Sequence, residues 1–174
     1  LSLISQPIHN DLLERIDKAP KVGAFEMENY WVWGSSVIQG DNGIYHMYAA
    51  RWPKHLTFHP GWMIQSDIVH ASSKTPEGPY IFQDIVFPAR GAQYWDGRST
   101  FNPKICRYKD NYVLFYTGST HPFPDFPPKD SLTLNSKYSI VGRSNKRIGI
   151  AWSKSPDGPW TRMDEPILKT KNNT

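Results

Sequence analysis

Two aspartates carry the catalytic hypothesis that this sequence supports. Asp96 stands between Trp95 and Gly97, just before a strand-forming segment, and Asp67 closes a long segment that contains tryptophan and histidine. Carboxylates are suited to general acid and base catalysis, so both aspartates are predicted catalytic residues. The competing interpretation of Asp96 is an Asx turn that shapes the loop.

A second group of side chains, aromatic and polar, would bind the substrate. Tryptophan rings stack on the C–H faces of sugars while charged and amide groups hydrogen-bond the hydroxyl groups, so this combination predicts a carbohydrate ligand. The alternative interpretation of each tryptophan is burial in the core. The alternative interpretation of His70 is an ordinary strand residue without a role in binding. The predicted substrate-binding residues are Trp33, Arg51, Trp52, His70, Trp95, Arg98, Asn102 and His121.

An internal repeat defines the elements that must position these side chains. The turn sequence at 71–80 returns at 151–160, 80 positions later. In each copy proline presets φ at the first turn position, an acidic residue follows, and a glycine (Gly78 or Gly158) takes the left-handed conformation. Apolar segments flank each copy, the last of them at 166–168. Each copy therefore predicts a β-hairpin.

The repeat extends upstream of these hairpins. Residues 43–48 resemble residues 111–116, which lie 68 positions later, and each segment follows an acidic turn. Each unit then consists of a strand, a tight turn, a strand, a long loop, a strand, a hairpin turn and a strand. Four antiparallel strands per repeat form the blade of a β-propeller. We predict an all-β fold with two such blades, at about 31–88 and 98–168.

The remaining segments flank the blades or lie on one end face. Residues 1–30 are predicted to hold a helix at 10–19 and an approach segment, and residues 169–174 a tail that leads to absent blades. Propellers close with about four to eight blades, so further blades or a second chain would complete the ring. Antiparallel order places the long loops at one end of the channel, and the Pro-rich segment 120–137 is predicted to be a lid or interface loop there.

Composition argues against several other functions. The net charge of the 174 residues is +4 and the basic residues are scattered, which does not match a nucleic-acid interface. The single cysteine, Cys106, excludes an internal disulfide, and no cysteine or histidine spacing resembles a zinc site, so no metal or cofactor is predicted. No apolar run approaches the ~18 residues of a membrane span, and no signal peptide is visible.

The turn at 153–160, with Trp152 beside it, and the strand at 110–116 resemble the five-bladed propellers of glycoside hydrolase family 43 and its relatives. The resemblance covers about residues 31–168, which would be two blades of a presumed five. It implies a glycosidase that hydrolyses a polysaccharide or oligosaccharide with carboxylates as general acid and base. It also implies a secreted or periplasmic protein and admits a calcium ion in the channel.

The sequence departs from the family pattern where the inner strands begin. An Asp-Pro pair typically opens the first inner strand in the family, whereas this chain has Gly34, Ser35 and Ser36, and the second inner strand has Asn102. Neither Ser35 nor Asn102 can replace a carboxylate base. Three hypotheses therefore stay open: a glycosidase, a non-catalytic carbohydrate-binding propeller, and a partial propeller completed by another chain.

Overall fold

Two antiparallel sheets make up the computed structural model, which describes residues 24–127 and 131–168. The predicted helix at 10–19 and the tail at 169–174 lie outside the described residues. The strands of the first sheet are β1 (Tyr30–Gln39), β2 (Tyr45–Pro53), β3 (Asp67–Ser73) and β4 (Ile81–Phe87). Those of the second are β5 (Ser99–Tyr108), β6 (Asn111–Ser119), β7 (Arg147–Ser153) and β8 (Thr161–Arg162). Each sheet keeps its strands in chain order, which confirms the two four-stranded antiparallel units, and the described residues form no closed ring.

The repeated turns have the predicted backbone conformation. Gly78 has φ 97° and Gly158 has φ 87°, both in the left-handed region that favours glycine. The Gly78 N–H donates to the carbonyl of Thr75 at 3.2 Å, and the Gly158 N–H donates to that of Ser155 at 3.1 Å. The two hairpins are therefore equivalent, as the repeat predicts.

The structure corrects the sequence-based prediction in two places. The apolar segment at 166–168 is not the outer strand of the second sheet, because β8 comes earlier and Leu168 forms only an isolated bridge with Ile148. The polar β6–β7 loop contains a helix, α2 (Lys137–Ser144), in addition to a helical turn, α1 (Phe58–Gly61), in the β2–β3 loop. The Ser136 hydroxyl caps α2 by accepting from the Ser139 N–H.

Apolar side chains between the two sheets form the main core. Tyr48 of β2 and Tyr116 of β6 are almost fully buried there, and the Ser36 hydroxyl of β1 accepts a hydrogen bond from the Ile105 N–H of β5. A second cluster packs beneath the long loops at one end. The main core comprises Tyr48, Ile68, Phe87, Ile105, Tyr112, Leu114, Tyr116 and Ala151, and the second cluster Trp52, Leu56, Met63, Ile64, Phe126, Leu132 and Tyr138. Among the described residues, no helix is long and apolar enough to cross a membrane.

Candidate functional site

A cavity of about 230 Å³ opens where the first strands of the two sheets begin, and we call it the aromatic cavity. Its walls come from the start of β1, the end of β2, the β2–β3 loop and the start of β5, which is the end face where the sequence predicts a site. The lining residues are Trp33, Ala50, Trp52, Phe58, Trp62, Phe101 and Asn102.

Contacts between aromatic rings hold the walls of this cavity in place. Phe58 meets Trp33 edge to face at 5.6 Å between ring centroids and contacts Trp52 at 5.2 Å. On the other wall Trp62 meets Phe101 edge to face at 4.8 Å. Trp52 is 1% exposed, whereas Trp33 is 60% exposed. The Trp33 ring is therefore held in position by Phe58 and exposed to solvent, and such a ring can stack on a ligand.

Two equivalent β-bulges shape the cavity floor. The β1–β2 register shifts between Trp33 and Ser36, and the β5–β6 register shifts between Phe101 and Lys104, which are the same positions 68 residues later. The left-handed residue of each bulge is Gly34 at φ 64° in the first repeat and Asn102 at φ 51° in the second. A Cβ placed on Gly34 would lie 3.4 Å from Asn102 Oδ1, so the two bulges face each other across the sheets.

Asp67 and Arg51 lie on the other side of the first sheet. Arg51 pairs with Val32 on one side and with Asp67 on the other, so these side chains share one face of the sheet. Trp33 pairs with Ala50, the neighbour of Arg51 in β2. Adjacent residues of a strand point to opposite faces, so Trp33 lies on the opposite face. Arg51 stacks on the Tyr30 ring, with its guanidinium carbon 4.2 Å from the centroid. Burial raises the pKa of the half-buried Asp67 carboxyl, and the Arg51 charge partly offsets that rise.

Asp96 lies near the outer strand of the second sheet. Its Oδ1 is 2.8 Å from Arg90 Nε and 2.7 Å from Arg90 Nη2, and its Oδ2 is 3.4 Å from Arg162 Nη1 of β8. The Tyr116 hydroxyl donates to Oδ2 at 2.7 Å, and burial, followed by the Asp96 charge, raises the pKa of Tyr116. The Asp96 side chain is fully buried, so its contacts describe a charge cluster between the sheets rather than an open acid or base.

Four of the predicted residues, Trp33, Arg51, Asp96 and Arg98, have separate partners in the structure. Arg51 and Asp96 have the partners given above, and Arg98 Nη1 bonds the exposed Asp125 carboxylate at 2.6 Å. Each of these charged groups contacts an opposite charge or an aromatic ring that the fold places beside it. Some of these partners, such as Asp125 for Arg98 and Arg162 for Asp96, lie far away in the sequence, although Arg90 is only six residues before Asp96.

The other predicted binding residues are spread over the molecule. Trp95 stacks on Tyr116 with the ring centroids 5.7 Å apart, beside Asp96. His121 is buried beneath the loops, where its Nε2 lies 3.3 Å from the Ile64 carbonyl, and burial lowers its pKa. His70 is buried in the middle of β3, where it pairs with Tyr48 of β2. Of the predicted residues, Trp33, Trp52 and Asn102 line the cavity together.

The predicted binding residues leave out three aromatic residues of the cavity, Phe58, Trp62 and Phe101. A phenylalanine in an apolar segment carries no local signal that separates ligand contact from core packing. The repeat does contain a signal for one of them, because Phe101 stands 68 positions after Trp33.

The structure resembles solved glycoside hydrolases. A family 117 glycoside hydrolase from the marine bacterium Zobellia galactanivorans aligns with TM-score 0.56 and 19% identity, over 77% of this chain and 38% of that protein. A family 43 β-xylosidase/α-arabinofuranosidase from a compost microbial metagenome, in complex with xylotriose, aligns with TM-score 0.54 and 19% identity, over 79% of this chain and 36% of that protein. A family 43 enzyme from Xanthomonas citri gives TM-score 0.52 and 16% identity, over 79% and 33%.

These likenesses confirm the resemblance to family 43 propellers and their relatives at the level of the fold. The chain spans about a third of the length of the structures it matches. No protein-family model and no curated protein sequence matches it.

Proposed function

We propose that this chain is part of a glycoside-hydrolase-like β-propeller that binds an oligosaccharide or polysaccharide through the aromatic cavity. The observation that carries the proposal is the 60% exposed ring of Trp33, which is supported by Phe58 at the start of an inner strand. The amide of the exposed Asn102 supplies a polar group that can hydrogen-bond sugar hydroxyls at the same place. A ring face beside a polar group is the arrangement that sugar binding requires.

The size of the cavity supports the binding of a single sugar unit. Its volume of about 230 Å³ is smaller than the roughly 300–1,000 Å³ of pockets for drug-sized ligands. The remaining units of a longer glycan would then extend along the exposed loops of this end face. Xylotriose is a suitable first probe, because two of the structurally similar enzymes have been solved with it.

Hydrolysis would need a pair of carboxylates beside the bound sugar. No described residue that lines the aromatic cavity carries a carboxylate, and Asp67 faces the other side of the first sheet. Catalysis at this cavity would therefore need carboxylates from outside its present lining. The same observation favours a second candidate function, a non-catalytic carbohydrate-binding propeller.

The proposal also includes further blades or a second chain. Strand β4 exposes apolar side chains, with Ile81 66% exposed and Phe82 and Ile85 each 39% exposed. Exposed apolar surface on an outer strand invites association. Light scattering on the purified chain should therefore detect an oligomer, and a stable monomer would contradict this part. The fold resemblance also supports the proposal of a secreted or periplasmic location.

The test of the binding site is titration of xylotriose and other glycan fragments by isothermal calorimetry. For any sugar that the wild type binds, Trp33→Ala should lower the affinity about tenfold, because the loss of one stacking ring costs roughly 1.4 kcal/mol. Trp152→Ala is the matched control, because Trp152 is a 39% exposed tryptophan of β7 outside the cavity lining. Equal affinity in wild type and Trp33→Ala would refute the site.

Hydrolysis is measured separately, with aryl glycosides and the same oligosaccharides. Release of product by the wild type would support the glycosidase hypothesis. Binding without product release would support the non-catalytic alternative.

A further inference from the structure

Two histidines and an aspartate meet outside the aromatic cavity, and we call them the His–Asp cluster. His46 belongs to β2, His70 belongs to β3, and Asp157 lies in the hairpin turn between β7 and β8. One ligating atom from each residue lies within 4.8 Å of the other two. The cluster therefore joins the first sheet to the second.

The ring nitrogens of the two histidines face each other. His46 Nδ1 lies 2.9 Å from His70 Nε2, and both residues are at most 2% exposed. Asp157 Oδ1 lies 3.6 Å from His46 Nδ1, and its side chain is 61% exposed. Two buried imidazoles thus converge on a point that a carboxylate approaches from solvent, which gives an ion a route of entry.

The surroundings of His70 orient it as a ligand. Its other nitrogen, Nδ1, lies 3.7 Å from Asp84 Oδ1, which is beyond hydrogen-bond distance, but the carboxylate charge favours a proton on Nδ1 and hence the lone pair on Nε2. A carboxylate behind a histidine is the usual outer partner of a metal ligand. The Tyr48 ring stacks on His70 with the centroids 5.3 Å apart and fixes the plane of the imidazole.

A direct hydrogen bond between the two histidines accounts for their 2.9 Å contact, but not for the approach of Asp157. It would use one nitrogen of His46 and leave Asp157 beyond hydrogen-bond distance.

We propose that His46 Nδ1, His70 Nε2 and Asp157 Oδ1 bind a divalent transition-metal ion such as Zn²⁺. Two imidazoles and one carboxylate suit zinc, which takes nitrogen ligands at about 2.0–2.1 Å and would leave a fourth position for water. A tetrahedral angle at those lengths separates two nitrogens by about 3.3 Å, so the rings need to part by a few tenths of an ångström and turn until both lone pairs point at the ion. The ion would link the two sheets.

The test is calorimetric titration of ZnCl₂ into the untagged, chelator-treated chain at pH 7.5, together with its melting temperature. The expected result is about one equivalent bound and a higher melting temperature, because an ion that binds only the folded state stabilises it. MgCl₂ should have no effect, since magnesium prefers oxygen ligands.

Three variants separate this site from other histidines. His46→Gln should lower zinc affinity at least a hundredfold. Asp157→Asn should lower it about tenfold, and because this aspartate is exposed, the zinc-free melting temperature should stay unchanged. His55→Gln, at an exposed histidine outside the cluster, should bind zinc like the wild type.

Two results would overturn the proposal. The first is a wild-type chain that neither binds zinc nor melts at a higher temperature with it, which would leave the direct hydrogen bond as the explanation. The second is a soluble Asp157→Asn variant with wild-type zinc affinity.

Discussion

Asp96→Asn is expected to destabilise the fold strongly, because Asp96 is the buried negative charge between two arginines. Arg90 Nε and Nη2 lie 2.8 and 2.7 Å from Oδ1, and Arg162 Nη1 lies 3.4 Å from Oδ2. The arginine side chains are only 17% and 13% exposed, so water cannot replace the lost charge. Asparagine also turns an NH₂ donor towards one of these donors.

The size of the effect follows from this burial. Removing one partner of a buried ion pair typically costs about 3–5 kcal/mol, because the other charge is left uncompensated. For a chain of 150–250 residues each kcal/mol lowers the melting temperature by about 2–4 °C. Asp96→Asn should therefore lower the melting temperature by roughly 6–20 °C, measured by circular dichroism and checked by urea denaturation.

Asp164→Asn is the matched control. Asp164 Oδ1 accepts from Arg90 Nη1 at 2.7 Å, but its side chain is 80% exposed, so the expected loss is below about 1 kcal/mol. An Asp96→Asn variant that melts within a few degrees of the wild type would refute the structural role. If that variant also lost a measured glycan turnover, the role of Asp96 as a catalytic carboxylate would gain support.

Two further predictions concern a turn and a buried histidine. Gly158→Val should cost more than about 1 kcal/mol in urea denaturation, because a β-branched residue resists φ 87°, and an unchanged midpoint would contradict this. The pKa of His121 is lowered by burial from its ordinary 6.5. As the pH falls, the His121 imidazole is therefore protonated in the unfolded chain before it is protonated in the folded chain. The free energy of unfolding then decreases as the pH drops below about 6.5. Between pH 7.5 and 5.5 the wild type should lose more unfolding free energy than His121→Gln, and equal losses would contradict the assignment.

The sheets could be predicted because their signals are local and repeated. The proline, acidic residue and glycine of each hairpin turn act within four residues, and Gly78 and Gly158 both adopt the expected positive φ. The prediction placed the outer strand at 166–168 because the side chains there are apolar, as in a strand. In the structure β8 pairs with β7 immediately after the hairpin turn. Helix α2 gave little signal, since it has no acidic residue in its first turn and contains Gly142.

The aromatic cavity and the charges differ in how far the sequence can predict them. Trp33 and Phe101 occupy equivalent positions of the two repeats, as do Gly34 and Asn102, so the cavity follows from the same periodicity that predicts the sheets. The partners of Asp96 follow no period, because Arg90 precedes it by six residues while Arg162 belongs to the last strand.

A loop carboxylate is paired by whichever cation the folded chain brings near it, and no spacing in the sequence records that choice. For this reason the repeated aromatic residues are the firmer guide to a binding site in this chain. A lone aspartate beside a tryptophan is a weaker guide to a binding site, because the same local sequence is found whether the carboxylate is buried between sheets or exposed at a channel.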